Sequence, residues 1–467
     1  MAQSTPLDPL DTIAGLNKAF RDGTTTPSAA TRRYLDRIER HDRKIGAYQL
    51  VRAEQAMAAA EAADKAIAAG SRIGPFHGIP FALKDIYELE GEVTTCGSRA
   101  MADRVSEHTG SVVRRLMAAG GIILGKSKTV ECAFGAWGTN QHMGTPLNPW
   151  DQQTPRIPGG SSSGSAAAVA SGLAACAVGS DTGGSVRLPA AFCGIVGLKV
   201  TAGRLPLDGI APLSQTLDTP GPIVQTVRDA LIMFEVMDGR EGWKIDDDLA
   251  TDGGVYGMLQ RGVDGLRIGI LNQAERDACV PEMLAAYDMT VETLRSLGAE
   301  TIVFDAPFHY ADLADLNGLI TAVEGYQNHG TYYDDMTLPM DEDVRQRMLG
   351  GKTQTGWAYV RCLEERKQMT RRFAEAMRGL DALVTPSTTT LALALPDVDQ
   401  TKSPTHFARP FNYLGMCGLS LPAALSDSGL PASIQVACRA DDEALALRIG
   451  AALEAALPAI GRPVIED

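Results

Sequence analysis

The chain has 467 residues, of which 45% are hydrophobic and 21% are charged, and this composition is typical of a globular protein with a large core. The 43 basic and 57 acidic residues give a net charge of −14, which repels phosphate backbones and argues against direct nucleic-acid binding. Apolar stretches such as residues 166–173 are too short to cross a bilayer, so no membrane association is expected.

Cysteine and histidine usage narrows the chemistry further. The eight cysteines contain no CxxC pair, and the seven histidines show neither HExxH nor HxH spacing. Scattered cysteines of this kind are typical of small buried side chains in a reducing compartment, so we expect a cytoplasmic protein. The sequence gives no support for a metal site or a cofactor, and we expect neither.

The predicted elements alternate between helices and short buried strands. Residues 8–70 read as helical, with a short strand or turn at 45–51. From Gly74 onwards, short apolar runs separated by glycine predict strands of a mixed α/β sheet at 79–83, 122–124, 174–178 and 195–198. A strand–helix–strand unit follows over 266–304, then a long amphipathic helical region over 345–380. Strands at 383–385 and 419–422 and a helix at 442–457 complete the pattern.

No low-complexity linker or internal repeat divides this pattern. We therefore predict one domain over residues 1–467, with an N-terminal helical segment over about 1–70 and a core over about 75–205. A helical insertion over about 305–380 is left open.

Lys84 ends a run of glycine and apolar residues that begins at Gly78. A lysine at the end of a buried strand usually extends its amine to solvent or pairs with a carboxylate, and Asp85 could be that partner. The alternative is a desolvated lysine, because burial lowers a lysine pKa and a neutral amine can act as a general base.

Two serine-containing loops accompany this lysine. The first, PGGSSSGS over 158–165, leads into an alanine-rich helix and suits either a serine-capped turn or a phosphate site, although it lacks the GK[ST] ending of a P-loop. The second, over 179–189, joins a strand to a helix that tolerates Pro189 in its first turn. It is either a structural turn or a site that exposes Ser185 beside backbone N–H groups able to bind an oxyanion.

Taken together, the three segments favour a serine nucleophile that does not use histidine. No histidine lies in either loop, and Ser185 lacks the GxSxG pattern of α/β-hydrolases. A serine nucleophile needs a base, and Lys84 is the candidate in a suitably apolar run.

These motifs resemble those of the amidase signature family. Its two serine motifs match residues 159–165 and 181–189, and Ser161 and Ser185 are 24 positions apart as in that family. The resemblance implies a single α/β domain with a large mixed twisted β-sheet covered by helices on both faces. It also implies roles for individual residues: Ser185 as nucleophile, Ser161 as relay after a cis peptide bond and Lys84 as base, with oxyanion-hole amides at Thr182, Gly183 and Gly184 and support from Ser162, Asp181 and Arg187.

The expected activity is hydrolysis of a small amide to a carboxylate and an amine through a serine acyl-enzyme. Phe134, Trp137 and Met143 lie where the family places the wall of its acyl pocket, which would suit an aryl or apolar acyl amide or a carbamate, although such residues are also common in cores. The expected partner is a small-molecule amide alone, with no nucleic acid and no membrane, for a chain that acts singly or as a homodimer. Two alternatives stay open: a glutaminase-type A subunit of a glutamyl-tRNA amidotransferase, and a non-catalytic relative.

Overall fold

A mixed β-sheet of eleven strands runs through the core of the computed structural model, which describes residues 4–71, 73–251 and 253–466. The outermost residues of the predicted 1–467 domain lie outside this description. The strands of the described ranges are β1 (Ser4–Thr5), β2 (Tyr48–Val51), β3 (Pro80–Lys84), β4 (Ile122–Ser127), β5 (Cys176–Asp181), β6 (Val196–Lys199), β7 (Thr219–Val224), β8 (Arg267–Leu271), β9 (Glu300–Phe304), β10 (Ala382–Pro386), β11 (Cys417–Leu425), β12 (Pro431–Cys438) and β13 (Arg462–Pro463).

Helices precede or follow most of these strands in the described chain. They are α1 (Ile13–Arg21), α2 (Pro27–Ile45), α3 (Ala53–Ala68), α4 (Ser111–Ala118), α5 (Ser163–Ala170), α6 (Arg187–Cys193), α7 (Val227–Met237), α8 (Gly242–Thr251), α9 (Gly254–Leu259), α10 (Gln273–Arg276), α11 (Pro281–Ser296), α12 (Tyr310–Asp334), α13 (Glu342–Lys352), α14 (Gly356–Ala376), α15 (Arg409–Tyr413) and α16 (Glu443–Ala456). Among these described helices, none has the length and apolar character needed to cross a membrane.

The strand order of the large sheet is β2-β4-β3-β5-β7-β6-β11-β12-β10-β8-β9, and β1 pairs separately with β13. Strand β3 runs parallel to both neighbours, β4 and β5, and every residue of these three strands is buried. Strands β6, β7, β11 and β12 pair antiparallel, so the sheet is mixed as predicted. The predicted fold class, a single domain built on one large mixed sheet with helices, is confirmed.

The predicted helical region over 345–380 consists of two helices, α13 and α14. The break falls just before Thr355, whose hydroxyl accepts a hydrogen bond from the backbone N–H of Ala358 at 3.1 Å. Threonine is a preferred N-cap because its side chain satisfies a free N–H of the first turn, so a new helix starts there.

The helix α5 lies in the core beside the sheet, and its small side chains make this possible. All eight residues of Ser163–Ala170 are buried. At Gly164 a Cβ atom would lie 2.2 Å from the backbone oxygen of Ala47, so a glycine is required for the helix to approach that segment. This packing fixes the serine loop that precedes α5 against the end of the sheet.

Candidate active site

Lys84 is the last residue of β3, and its side chain is fully buried. Its Nζ lies 2.8 Å from Ser161 Oγ and 2.8 Å from Ser180 Oγ. Burial lowers the pKa of Lys84 to about 7, while the carboxylates of Asp218 and Asp181 act in the opposite direction. A buried amine that titrates near neutrality and touches a hydroxyl is suited to accept a proton from it.

The neighbouring carboxylate of Asp85 is not the partner of Lys84. Asp85 Oδ1 pairs with Lys126 Nζ at 3.3 Å, and its Oδ2 accepts hydrogen bonds from the hydroxyl and backbone N–H of Thr95. Lys126 lies on β4, next to β3 in the sheet. Asp85 follows the last residue of β3, and its carboxylate is occupied by Lys126 and Thr95. This arrangement removes the ion-pair explanation for Lys84.

Ser161 lies in the loop before α5 and is held by its backbone. The peptide bond between Gly160 and Ser161 is cis, and the Ser161 carbonyl accepts hydrogen bonds from Val130 N at 3.2 Å and Thr129 Oγ1 at 2.9 Å. The next residue links the two serine loops, because Ser162 N donates to the carbonyl of Ser185 at 3.3 Å. The Ser162 hydroxyl in turn bonds the backbone of Ser180 on β5.

Ser185 lies between β5 and α6, and it is 8% exposed in the wall of a cavity. The loop is closed by Asp181, whose carboxylate accepts hydrogen bonds from Gly184 N at 2.7 Å and Val186 N at 3.2 Å. Arg187 pairs with the same carboxylate through two contacts of 3.0 Å. The Arg187 guanidinium holds the pKa of Asp181 well below its usual range against the opposing effect of burial. The turn that presents Ser185 is therefore closed by contacts between its two ends.

The backbone amides of this loop divide into two groups. Within the described residues, the N–H groups of Thr182, Gly183 and Ser185 donate to no other protein atom, whereas that of Gly184 donates to Asp181. Thr182, Gly183 and Ser185 line the cavity. Two or three free amides beside a serine hydroxyl are the donors that an oxyanion needs, and the Gly184 amide instead stabilises the loop.

The cavity has a volume of about 430 Å³, within the range of small-molecule sites. Phe134 and Trp137 line it, and the Trp137 ring stacks on Phe192 with its Nε1 donating to the Lys402 carbonyl. Met143 is not among the lining residues, and its backbone N–H donates to Asn140 instead.

The sequence pattern did not single out several residues of this site as functional. Ser180 bonds Lys84, and Asp218 accepts hydrogen bonds from Thr182 Oγ1 and from the amides of Leu213 and Ser214. Burial raises the pKa of Asp218 to about 6. Two arginines in the cavity wall, Arg347 and Arg409, were also missed.

This fold and site define an enzyme that acts on the carbon–nitrogen bonds of amides. The chain belongs to the amidase family, because the sequence model of that family matches residues 29–447. A solved peptide amidase in complex with the competitive inhibitor chymostatin is 27% identical and has a TM-score of 0.82, over 97% of this chain and 99% of that one. The resemblance to the amidase signature family is therefore confirmed.

Other relatives carry a different name. A protein of Geobacter metallireducens, named as the A subunit of glutamyl-tRNA(Gln) amidotransferase, is 34% identical over 474 residues, covering 95% of this chain and 97% of its own. The solved structure of the protein with the same name from Thermotoga maritima is 28% identical, with a TM-score of 0.80 over 99% of both chains.

These names contradict the expected partners. The sequence predicted a small-molecule amide alone, without nucleic acid, for a chain acting singly or as a homodimer, and that prediction was wrong. Several relatives of this chain are named as one subunit of an enzyme, and the name of that enzyme specifies a tRNA as its substrate. The net charge of −14 was a poor guide to nucleic-acid binding for two reasons. It is a sum over the whole chain and does not report local patches of charge, and it says nothing of what another subunit of an assembly binds.

Proposed function

We propose that the chain hydrolyses a carboxamide through an acyl-enzyme on Ser185, with Ser161 as proton relay and Lys84 as base. The observation that carries the proposal is the buried Lys84 amine, 2.8 Å from Ser161 Oγ and with a pKa of about 7. Within the described residues, no carboxylate pairs with this amine.

In the first step, Ser185 Oγ bonds to the amide carbon while its proton passes to Ser161 and the Ser161 proton passes to neutral Lys84. The carbonyl electron pair moves onto oxygen, where the free amides of the Ser185 loop stabilise the charge. The relay then returns a proton to the nitrogen as the C–N bond breaks. A water molecule, deprotonated by the same relay, attacks the ester and releases the carboxylate.

A fluorophosphonate probe tests the nucleophile without knowledge of the substrate. We expect labelling of the purified chain, together with turnover in a panel of amides, p-nitroanilides, carbamates and glutamine. Both should vanish in Ser185→Ala. Ser171→Ala is the matched control, because this buried serine bonds only backbone oxygens of its own helix. A folded protein that is neither labelled nor active would contradict the proposal.

A second candidate function is that of the glutaminase-type A subunit of a glutamyl-tRNA amidotransferase. The curated relatives favour it, since they carry this name at 34% identity over nearly the whole chain. In this setting glutamine is the carboxamide and the released ammonia is used by the assembly. The test is glutamine hydrolysis by the isolated chain and by the chain with its co-purifying subunits. Glutamine turnover that requires those other subunits would support this setting.

We also propose that the protein is located in the cytoplasm. All eight cysteine thiols are free, as suits a protein of the cytoplasm.

A further inference from the structure

The three free N–H groups of the Ser185 loop belong to three different peptide groups, and each of these peptide bonds is trans. In a trans peptide group the carbonyl and the N–H point in opposite directions. A hydrogen bond that holds the carbonyl therefore also fixes the direction of the N–H. The orientation of the amides of Thr182, Gly183 and Ser185 can thus be followed through the carbonyl of the residue before each of them.

Two of these three carbonyls are held by the sheet and by the helices next to the loop. The Asp181 carbonyl, before the first free amide, accepts hydrogen bonds from Thr219 Oγ1 at 3.0 Å and from Asn412 Nδ2 at 3.3 Å. The Gly184 carbonyl, before the last free amide, accepts a hydrogen bond from Leu188 N at 2.7 Å, in the first turn of α6. Both peptide groups are therefore fixed by the core that presents the nucleophile.

The third carbonyl, that of Thr182, is held by a residue of the opposite cavity wall. Asn317 lies on α12 and is fully buried, and its Nδ2 donates to the Thr182 carbonyl at 3.2 Å. It is the one donor to this carbonyl in the part of the chain that the structure describes. Gly183, whose amide belongs to the same peptide group, lines the cavity together with Asn317.

This peptide group needs an external contact because the residue after it is glycine. A Cβ atom at Gly183 would lie 3.1 Å from Arg409 Cγ and 3.2 Å from Asn317 Oδ1, so the packing of α12 and α15 favours a glycine here. Reversal of the peptide group between Thr182 and Gly183 would take the amide out of the cavity, and it changes only ψ of Thr182 and φ of Gly183. Glycine tolerates either sign of φ, so its own backbone does not prevent this reversal.

We propose that Asn317 is a positioning residue of the active site, which directs the Gly183 amide towards the oxyanion by binding the carbonyl of the same peptide group. This inference rests on the proposed acyl-enzyme reaction, in which the amides of this loop stabilise the oxyanion. Asn317 acts through the backbone and not on the reacting atoms. Its loss should therefore slow bond formation at Ser185 more than it weakens the binding that precedes it.

The test uses the fluorophosphonate probe, which needs no knowledge of the substrate. Ser185 Oγ bonds to phosphorus and fluoride leaves, while the phosphoryl oxygen gains charge that the same amides would stabilise. Saturation kinetics separate KI, for reversible binding, from kinact, for bond formation. In Asn317→Leu, which removes the donor and keeps the side chain branched at Cγ, we expect kinact to fall by about 10- to 100-fold. KI should stay within about twofold of the wild-type value, and the kcat of any amide that the chain hydrolyses should fall with kinact.

Two further variants separate this role from a general effect on folding. Asn328→Leu is the matched control, because Asn328 lies on the same helix and its amide also donates to a backbone carbonyl at 3.2 Å, that of Leu213, outside the loop. Its kinact should stay within about twofold of the wild-type value. Asn317→Asp keeps the shape of the side chain, but an ionised carboxylate only accepts hydrogen bonds, so kinact should fall here too. Urea unfolding shows whether each variant is folded.

A slow kinact in the folded Asn317 variants, with the wild-type value in Asn328→Leu, would support the assignment. A wild-type kinact in a folded Asn317 variant, a change in KI alone, or an equal loss in Asn328→Leu would overturn it. A wild-type chain that is not labelled would show instead that the acyl-enzyme reaction itself is wrong, and this inference would then be refuted with it.

Discussion

The pH dependence of hydrolysis should report the titration of Lys84. With a pKa of about 7, roughly one-tenth of the amine is neutral near pH 6 and roughly nine-tenths near pH 8. Because only the neutral amine accepts a proton from Ser161, kcat/KM should rise about tenfold over this interval and then level off. A lysine with the ordinary pKa of 10.5 would give a rise of about a hundredfold with no plateau.

The pH midpoint of this profile should depend on a neighbouring hydroxyl. Ser180 Oγ lies 2.8 Å from Lys84 Nζ and stabilises the ammonium form more than the neutral amine. Ser180→Ala should therefore shift the midpoint of the profile to lower pH. Ser171→Ala, which changes a buried serine away from the amine, should leave the midpoint in place.

The assay is kcat/KM measured from about pH 5 to 10, with the solvent isotope effect used to establish that proton transfer limits the rate. Lys84→Met keeps the length of the side chain and should reduce turnover to near background. A flat profile with chemistry limiting, or a lysine variant that keeps most of the wild-type rate, would refute the assignment of Lys84 as base.

Two further predictions concern stability, each measured by urea unfolding. Arg187→Met should destabilise the protein by about 3–5 kcal/mol, because it leaves the fully buried Asp181 carboxylate without its counter-charge, and an unchanged midpoint would contradict this. Gly164→Ala should destabilise by about 1–3 kcal/mol or more, because the new Cβ would lie 2.2 Å from the Ala47 carbonyl oxygen. Gly350→Ala, in an exposed part of α13 with nothing within 4 Å of the added Cβ, should stabilise by about 0.5–1 kcal/mol and serves as its control.

Contiguous motifs were predictable from the sequence because their function depends on local geometry. The loop at 181–189 holds both Ser185, the proposed nucleophile, and the Asp181–Arg187 pair that closes the loop. The sequence around Lys84 did not show whether its amine pairs with Asp85 or is available as a base. Lys126 removes the first of these two explanations, because it pairs with Asp85. It lies 41 positions from Asp85 in the sequence and is brought close to it by the pairing of β3 with β4.

Two central strands, β7 and β12, were not predicted, and β7 shows the reason most clearly. Strand β7 has the sequence TPGPIV, and proline usually argues against an interior strand because it lacks an N–H. Its prolines are tolerated because β6 pairs only with Ile223 and Val224, so that Pro220 and Pro222 have a partner strand only in β5. The pairing that permits this exception is a property of the sheet and is not visible in the segment.

The division between predicted and missed residues has a physical basis that bears on function. Lys84, Ser161 and Ser185 lie at the end of β3 and in loops beside β5, where the buried sheet fixes them. The cavity opposite is built by α12, α13 and the chain at 400–409, and these supply Arg347 and Arg409. In the proposed reaction the first group carries out the chemistry, whereas the second lines the space beside Ser185 that a substrate would enter. Relatives at about one-third identity share the family, and those named as the A subunit of glutamyl-tRNA(Gln) amidotransferase bring glutamine forward as a candidate substrate. A panel of amides that includes glutamine, assayed with the isolated chain and with its co-purifying subunits, therefore addresses the substrate directly.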